Sequence, residues 1–210
     1  MKVPPVNEYT LSVFINCPFD RRYLNLFHAI IFTVHDCGYI ARCAQEINDT
    51  SQIRVSKIFQ IISECRIGIH DISRTQLDKA SKLPRFNMPL ELGMFLGAKA
   101  YGTRKQRDKL CLVLDRESYR YQKFCSDIAG QDISAHGGKV ELAVSAVRDF
   151  LRSARRGAMI PGGAKIYRRY AAFQKQLPVL CRRLGLRKRE LIFNDFTTLV
   201  SEWLKAHAQP

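Results

Sequence analysis

Residues 11–43 read LSVFINCPFDRRYLNLFHAIIFTVHDCGYIARC, and two hydrophobic patterns follow one another within them. A short apolar run, Leu11 to Ile15, stops at a Cys-Pro pair and predicts a strand. From Tyr23 to Val34 the apolar residues recur at helical spacing until a glycine ends the pattern. A second short run, Tyr39 to Cys43, predicts the next strand. The order strand, helix, strand is typical of a unit whose two strands run parallel.

The same alternation continues to about residue 114. It predicts a helix over 51–65, a strand over 67–72, a helix that opens at Pro89 and runs to about Tyr101, and a strand over 110–114. The buried side of the first of these helices is predicted to hold Ile53, Ile58, Ile61 and Ile62. The pattern therefore indicates an α/β fold with a doubly wound, mainly parallel sheet of the flavodoxin-like or Rossmann-like kind. Residues 115–138 show little period and predict an irregular, functional segment.

A candidate linker follows the alternating region, where residues 155–157 (Arg-Arg-Gly) lead to residues 161–163 (Pro-Gly-Gly). We expect an α/β domain over residues 1–156 and a helical extension over 157–210. The extension is strongly basic: residues 151–210 hold 13 Lys and Arg against 3 acidic residues, which is +10 of the chain's net +15. This charge favours a polyanion or an acidic surface as partner.

The seven cysteines form no Cys-x-x-Cys pair and lie mostly in apolar stretches. We therefore expect reduced, buried thiols and a cytoplasmic protein. The N-terminal residues lack the apolar run of a signal peptide, and no apolar stretch reaches the roughly 18 residues of a membrane helix, so no membrane contact is expected. His136 has no companion at metal-ligand spacing, so no metal site is assigned.

Polar side chains follow three of the predicted strands. Residues Asn16 to Asp20 follow the first strand, Asp71 lies at the end of the third, and Asp115 follows the fourth. Ligands of open parallel sheets bind at the carboxyl ends of the strands, so these residues are the first candidates for a site. The chain has neither Gly-x-Gly-x-x-Gly nor a P-loop, which argues against phosphate binding by a glycine-rich loop.

Glu91 is the most informative single residue. Pro89 suits a first helical turn, which places Glu91 near the start of that helix among Leu90, Leu92 and Met94. The alternative is that Glu91 only complements the helix dipole, which is worth about 0.3–1 kcal/mol. Its apolar neighbours leave the carboxylate little contact with water, and this favours a functional role.

Three segments taken in order carry a resemblance to a known family. They are residues 13–20 (VFINCPFD), 69–73 (IHDIS) and 87–93 (NMPLELG). Together they resemble the nucleoside 2-deoxyribosyltransferase-like superfamily, whose relatives include TIR-type NAD-cleaving domains, and the ribosyltransferase-like toxic effectors of bacterial anti-phage systems such as retrons. The resemblance covers roughly residues 10–150. It implies cleavage of an N-glycosidic bond, with NAD or another nucleotide as substrate and no cofactor.

The resemblance also implies roles for individual residues. Glu91 is implied as the nucleophile or as the charge that stabilises an oxocarbenium-like transition state, as in retaining glycosidases. Asp71, or else Asp20, is expected to protonate the departing base, although a strand-end turn residue is the alternative for Asp71. Contacts with the ribose or the base are expected from Asn16, Pro18, Phe19, Asp20, Tyr23, Asn87 and Met88, and a loop carrying Asp127 is expected to cover the pocket. The alternatives are a turn cap for Asn16 and a packing role for Tyr23. Base exchange between nucleosides is less favoured than hydrolysis or ADP-ribose transfer, because a second base has no obvious binding element.

The basic extension leaves two interpretations open. Its helices and the turn between them carry Arg182, Arg183, Arg187 and Arg189, which fit a contact with nucleic acid or a nucleoprotein. They fit equally a solvated face on helices that pack against the sheet or a second copy, and a homo-oligomer is among the expected assemblies. Two rival functions follow: a non-catalytic nucleotide sensor that signals through the extension, and a nucleic-acid-binding protein in which the sheet is only a scaffold.

Overall fold

A five-stranded, all-parallel sheet lies at the centre of the fold. The computed structural model describes residues 7–75, 77, 82–155 and 157–208. The strand order is β2-β1-β3-β4-β5. The strands are β1 (Ser12–Asn16), β2 (Ile40–Arg42), β3 (Ile67–Asp71), β4 (Leu110–Asp115) and β5 (Ser134–Ala135). The α/β class and the parallel, doubly wound sheet are thus confirmed.

Helices cover both faces of the sheet. The described residues form α1 (Glu8–Leu11), α2 (Leu24–Asp36), α3 (Arg54–Glu64), α4 (Asn87–Tyr101), α5 (Arg104–Arg107), α6 (Val140–Ala154), α7 (Gly163–Arg183) and α8 (Phe193–Ala206). On one face α2 and α6 pack together, and on the other α3 packs against α4. Among the described helices none has both the length and the apolar character needed to cross a lipid bilayer.

The apolar run of β1 is explained by burial on both faces. Val13 and Ile15 point into the core beneath α2, whereas Phe14 points the other way and packs with Ile58 of α3 and Phe95 of α4. Alternate residues of a strand face opposite sides, so a strand covered on both faces has apolar residues at consecutive positions, here Val13 to Ile15. This strand fixes where the helices on both faces begin, and so where the site lies.

The C-terminal helices share the main core with the sheet. The Phe32 ring of α2 lies 5.5 Å from that of Phe173 in α7 and 5.8 Å from that of Trp203 in α8, measured between centroids. These rings belong to the same buried cluster as the inward side chains of β1. The helical extension therefore packs against α2. The domain boundary between residues 156 and 157 remains a prediction.

Three local features differ from the sequence prediction. The short strand β5 lies inside the segment that we predicted to be irregular. Helix α4 begins at Asn87, two residues before Pro89. We predicted Ile53 on the buried face of a helix. In the structure Ile53 precedes α3, which begins only at Arg54, and it is 71% exposed. The seven cysteines are all free, and five of them are buried.

Candidate active site

The carboxyl ends of adjacent strands bring polar side chains to one edge of the sheet. Asn16 closes β1, Asp71 closes β3 and Asp115 closes β4, and all three are buried. β1 and β3 pair directly although β2 lies between them in the chain, so their shared edge is a topological switch point. Open parallel sheets bind ligands at such points.

Asp71 is enclosed by hydrogen-bond donors. Its Oδ1 accepts the backbone N–H of Ser73 at 2.8 Å, and its Oδ2 accepts the hydroxyl of Tyr23. Nε2 of His136 lies 3.0 Å from the same Oδ2, though outside the direction of a full hydrogen bond. Since Nδ1 of His136 accepts the backbone N–H of Gly138 at 2.9 Å, the neutral ring carries its proton on Nε2, facing the carboxylate.

This environment bears on the roles predicted for two residues. Proton donation by Asp71 to a departing base requires contact with the substrate, but its side chain has no exposed surface and both oxygens have partners. The Tyr23 ring is likewise not accessible for stacking on a base, because the ring is buried and its hydroxyl donates to Asp71. Burial and the Asp71 charge raise the pKa of Tyr23 well above its ordinary value, which keeps the phenol a donor. The roles predicted for Asp71 and Tyr23 in contact with a substrate remain predictions.

The loop after β1 is held by its own contacts. Asp20 Oδ1 accepts the backbone N–H two residues further on at 2.9 Å, and its Oδ2 forms an ion pair with Arg74 at 3.0 Å. The Phe19 ring packs edge-on against Phe27 with 5.2 Å between centroids, and Pro18 is buried. These contacts shape the entry to α2, and the predicted substrate contacts of Pro18, Phe19 and Asp20 remain predictions.

Asn16 ties the switch point to the start of α4. Its Nδ2 lies 3.0 Å from Nδ1 of His70 and donates to the carbonyl oxygen of Met88 at 2.9 Å. Burial lowers the pKa of His70 to about 3, so the ring is neutral and its Nδ1 accepts from the amide. The Oδ1 of Asn16 is buried and has no partner among the described residues, which leaves one strong acceptor for a ligand hydroxyl.

Glu91 borders a cavity between α3 and α4. The side chain is 4% exposed, and no hydrogen bond or ion pair to its carboxylate occurs within the described part of the chain. The cavity has a volume of about 180 Å³ and is lined by Arg54, Val55, Ile58, Asn87, Leu90, Glu91 and Met94. Burial raises the pKa of Glu91 to about 6, against the opposing effect of the Arg54 charge. An unpartnered buried carboxyl beside a cavity is the arrangement expected of a functional group.

The start of α4 weakens the helix-dipole explanation for Glu91. The helix begins at Asn87, so Glu91 is its fifth residue and lies beyond the first turn, which holds no acidic residue. The dipole effect falls off within that turn. The side chain is therefore held at the cavity by the packing of its neighbours Leu92 and Phe95, which are buried.

The Cys17 thiol is near both carboxyl groups. It is fully buried, and burial raises its pKa well above the ordinary value, with further contributions from the charges of Asp71 and Glu91. Glu91 thus lies on the same edge of the sheet as Asp71, although the two carboxyls share no direct contact. Of the predicted site residues, Glu91 and Asn87 line the cavity, and Asn16 reaches the start of α4 through the Met88 carbonyl oxygen. Asp71 and the loop after β1 do not line the cavity.

The irregular segment after β4 is clamped onto the other strand ends. Arg120 donates through Nε to Asp115 Oδ1 at 3.0 Å, through Nη1 to the Thr75 hydroxyl at 2.6 Å and through Nη2 to the Ser73 carbonyl oxygen at 2.9 Å. Asp127 is exposed and does not line the cavity, so the predicted lid contact of this residue is not seen in the structure. The segment packs instead through Tyr121 on a small core that also holds Ile72, Leu92 and Val113.

The four arginines of the extension lie on the protein surface. Arg182 and Arg183 end α7, and Arg187 and Arg189 lie around the short 3-10 turn at Lys188–Glu190. All four are exposed, and Arg187 forms an ion pair with Glu190 at 3.2 Å. Their exposure is compatible with a polyanionic partner and equally with a solvated face.

Sequence reasoning missed three residues that shape this edge of the sheet. They are Arg54 at the cavity, His136 beside Asp71, and Arg120 beneath Asp115. A basic residue just inside a predicted helix start was a usable signal for Arg54. His136 and Arg120 lie in or next to a segment without periodicity. Only the pairing of β4 with β5 places this segment at the strand ends.

The chain was compared with protein-family models, curated proteins and solved structures, and none of these comparisons gives a match. Among the described residues no group of three or more His, Cys, Asp or Glu side chains is arranged to hold a metal ion.

Proposed function

We propose that the protein is an N-glycosidase or ribosyltransferase that cleaves the N-glycosidic bond of a nucleotide, with Glu91 as the catalytic carboxylate. The observation that carries the proposal is an ionisable carboxyl group, without a partner among the described residues, at the wall of a cavity between α3 and α4. Asn16 ties the start of α4 to the switch point. Such a group stabilises positive charge at C1′ of a ribose more strongly than one in water, because the apolar wall lowers the local dielectric constant.

The geometry favours NAD or a related pyridinium nucleotide among possible substrates. Asp71 is enclosed, so Glu91 is the carboxyl group on the cavity wall. When the C1′–N bond of such a substrate breaks, its electron pair returns to the pyridinium nitrogen and neutral nicotinamide leaves without a proton. Water then adds to C1′, and the proton it loses passes to Glu91 and on to solvent. The products are nicotinamide, the ADP-ribose moiety and one proton.

The cellular setting is also part of the proposal. The resemblance to effectors of anti-phage systems supports a cytoplasmic protein whose activity depletes a nucleotide. The free cysteines agree with a reducing compartment.

The experiment is an assay for released base with purified protein and a panel of NAD, nucleosides and nucleoside monophosphates. Glu91→Gln is expected to lower turnover by roughly 10³-fold or more while the protein remains folded. Glu141→Gln is the matched control, because Glu141 is exposed in the first turn of α6. Absence of base release from every compound, or full activity of Glu91→Gln, would overturn the enzyme proposal and favour the rival nucleotide sensor.

A further inference from the structure

The first turn of α3 offers unpaired backbone donors at the cavity. Ile53 precedes the helix and provides no side-chain cap. Its carbonyl accepts the N–H groups of Ser56 and Lys57, at 3.0 and 3.3 Å. The N–H groups of Arg54 and Val55 therefore have no acceptor among the described residues, and both residues line the cavity. Unpaired N–H groups at a helix start bind anions because the dipole adds to their own partial charge.

The adjacent helix presents a similar start. α4 packs against α3, and Phe86 before it provides no side-chain cap. Its first residue, Asn87, lies on the cavity wall beside Glu91. Two helices of 11 and 15 residues thus begin at the same cavity, and neither has a side-chain cap among the described residues.

Glu91 is a second, independent feature of this cavity that points to a ligand. It is a polar side chain more than nine-tenths buried, it has no partner among the described residues, and it lines the same cavity as the two helix starts. A buried carboxyl group without a partner destabilises the folded state, and a bound ligand that pairs with the group offsets this destabilisation. The cation on the cavity wall is Arg54, which forms no ion pair with Glu91 and is exposed, so its guanidinium is free to bind an anion.

We propose that Arg54 and the first turn of α3 bind the 5′-phosphate of a nucleotide whose ribose lies against Glu91. The inference rests on the proposed function and deepens it, since it predicts a preference for phosphorylated nucleotides over nucleosides. A phosphate near an ionised carboxylate is repelled unless a cation lies close to both, and Arg54 occupies that place. The guanidinium also matches phosphate geometry with two parallel N–H donors.

The test compares nicotinamide mononucleotide with nicotinamide riboside, which differ only by the phosphate. The wild type is expected to have a kcat/KM about 10- to 100-fold higher for the mononucleotide, the range given by one charge-assisted contact. Arg54→Gln is expected to lower this ratio towards 1, because the loss of the guanidinium removes a contact that only the mononucleotide makes. Arg104→Gln, at the first position of α5 and also exposed, is the control and should keep the wild-type ratio.

Equal rates for the two substrates in the wild type, or an unchanged ratio in Arg54→Gln, would overturn the phosphate subsite while the enzyme proposal survived. If neither substrate is cleaved, direct titration of the wild type with the same two compounds decides the question. Tighter binding of the mononucleotide that is lost in Arg54→Gln upholds the subsite without catalysis. Equal binding of both compounds, or binding of neither, rejects it.

Discussion

Glu91 and Asp71 are two buried carboxyl groups on the same edge of one sheet, and they differ in their partners. Asp71 accepts two hydrogen bonds, faces a third donor, and does not line the cavity beside Glu91. Glu91 accepts none from the described residues and borders a cavity. Burial alone therefore does not identify a functional carboxyl group. The hydrogen bonds indicate which of the two stabilises the fold and which is left available for a ligand.

The two groups also differ in their effect on stability. Asp71 is stabilised by donors from α2, from the loop after β3 and from the segment after β5, so it joins three parts of the chain. Glu91 has a pKa of about 6 in the folded protein, against 4.5 ordinarily. At neutral pH the folded state therefore holds an ionised group in a place that disfavours its charge. This costs about 1–2 kcal/mol of stability.

The largest expected effect is the loss of stability when Asp71 is truncated. Asp71→Ala leaves Tyr23, His136 and the Ser73 N–H without their acceptor in a buried site. We expect the free energy of unfolding to fall by about 3–5 kcal/mol, measured by urea denaturation. Asp127→Ala, at an exposed acidic position, is the control and should change it by no more than about 0.5 kcal/mol. If Asp71→Ala were as stable as that control, the contrast with Glu91 would fail.

Much of the fold was predictable, because strands buried on both faces and helices with one buried face leave distinct patterns. Residues 12–16 illustrate this, since all five residues of β1 are buried and the sequence shows an apolar run at Val13 to Ile15. The strand β5 was not predictable, because it is two residues long and depends on pairing with the end of β4. Its existence follows from tertiary contacts and not from local preference.

For the candidate site, the sequence indicated individual residues but not their partners. Glu91 was found because a carboxyl among apolar neighbours on a helix is unusual. The partners of Asp71 are 48 and 65 positions away in the chain, at Tyr23 and His136, and nothing local to them indicates that they meet. Only the strand order brings them together, so the enclosure of Asp71 could not have been predicted.

A second, smaller effect is expected on the stability of the Glu91 variant. The folded pKa lies above the unfolded one, so the wild type loses stability as pH rises from about 4.5 to 6, and the loss is complete above that range. Glu91→Gln has no such titration. It should be about 1–2 kcal/mol more stable than the wild type at pH 7.5 and equal to it near pH 4, measured by denaturant titration at both values. A variant less stable than the wild type at pH 7.5 would show that the carboxylate has a structural partner.

The pH dependence of catalysis should follow the same group. Glu91 must be ionised to stabilise the positive sugar, so kcat/KM is expected to fall about tenfold per pH unit below pH 6, with a single midpoint. The charged group facing Glu91 from α3 is Arg54, whose charge lowers the pKa of Glu91; the other neighbours are the thiols of Cys17 and Cys43. Arg54→Gln should therefore move the midpoint to higher pH by a fraction of a unit. A profile that stays flat from pH 5 to 8 would exclude Glu91 as the titrating group.

The smallest effect on the folded protein is expected from the exposed charges of the extension. Arg182 and Arg183 end α7 on the surface, so changing both to Glu should alter the free energy of unfolding by no more than about 0.5 kcal/mol per site and leave base release unchanged. Variants of these arginines therefore test nucleic-acid binding separately from catalysis, because no residue of α7 lines the cavity.

The measurement for the extension is the affinity for a single-stranded DNA 20-mer as a function of salt. If both arginines contact phosphates, the double reversal should reduce the magnitude of the slope of log K against log salt by about 1.4, since each contact with a single strand contributes about 0.7. A matched reversal of Arg104 and Arg107 on α5 makes the same change in net charge on another exposed surface. An equal loss in both variants would mean that only overall charge matters. A loss confined to the extension would give the protein a nucleic-acid partner at a surface distinct from the Glu91 cavity.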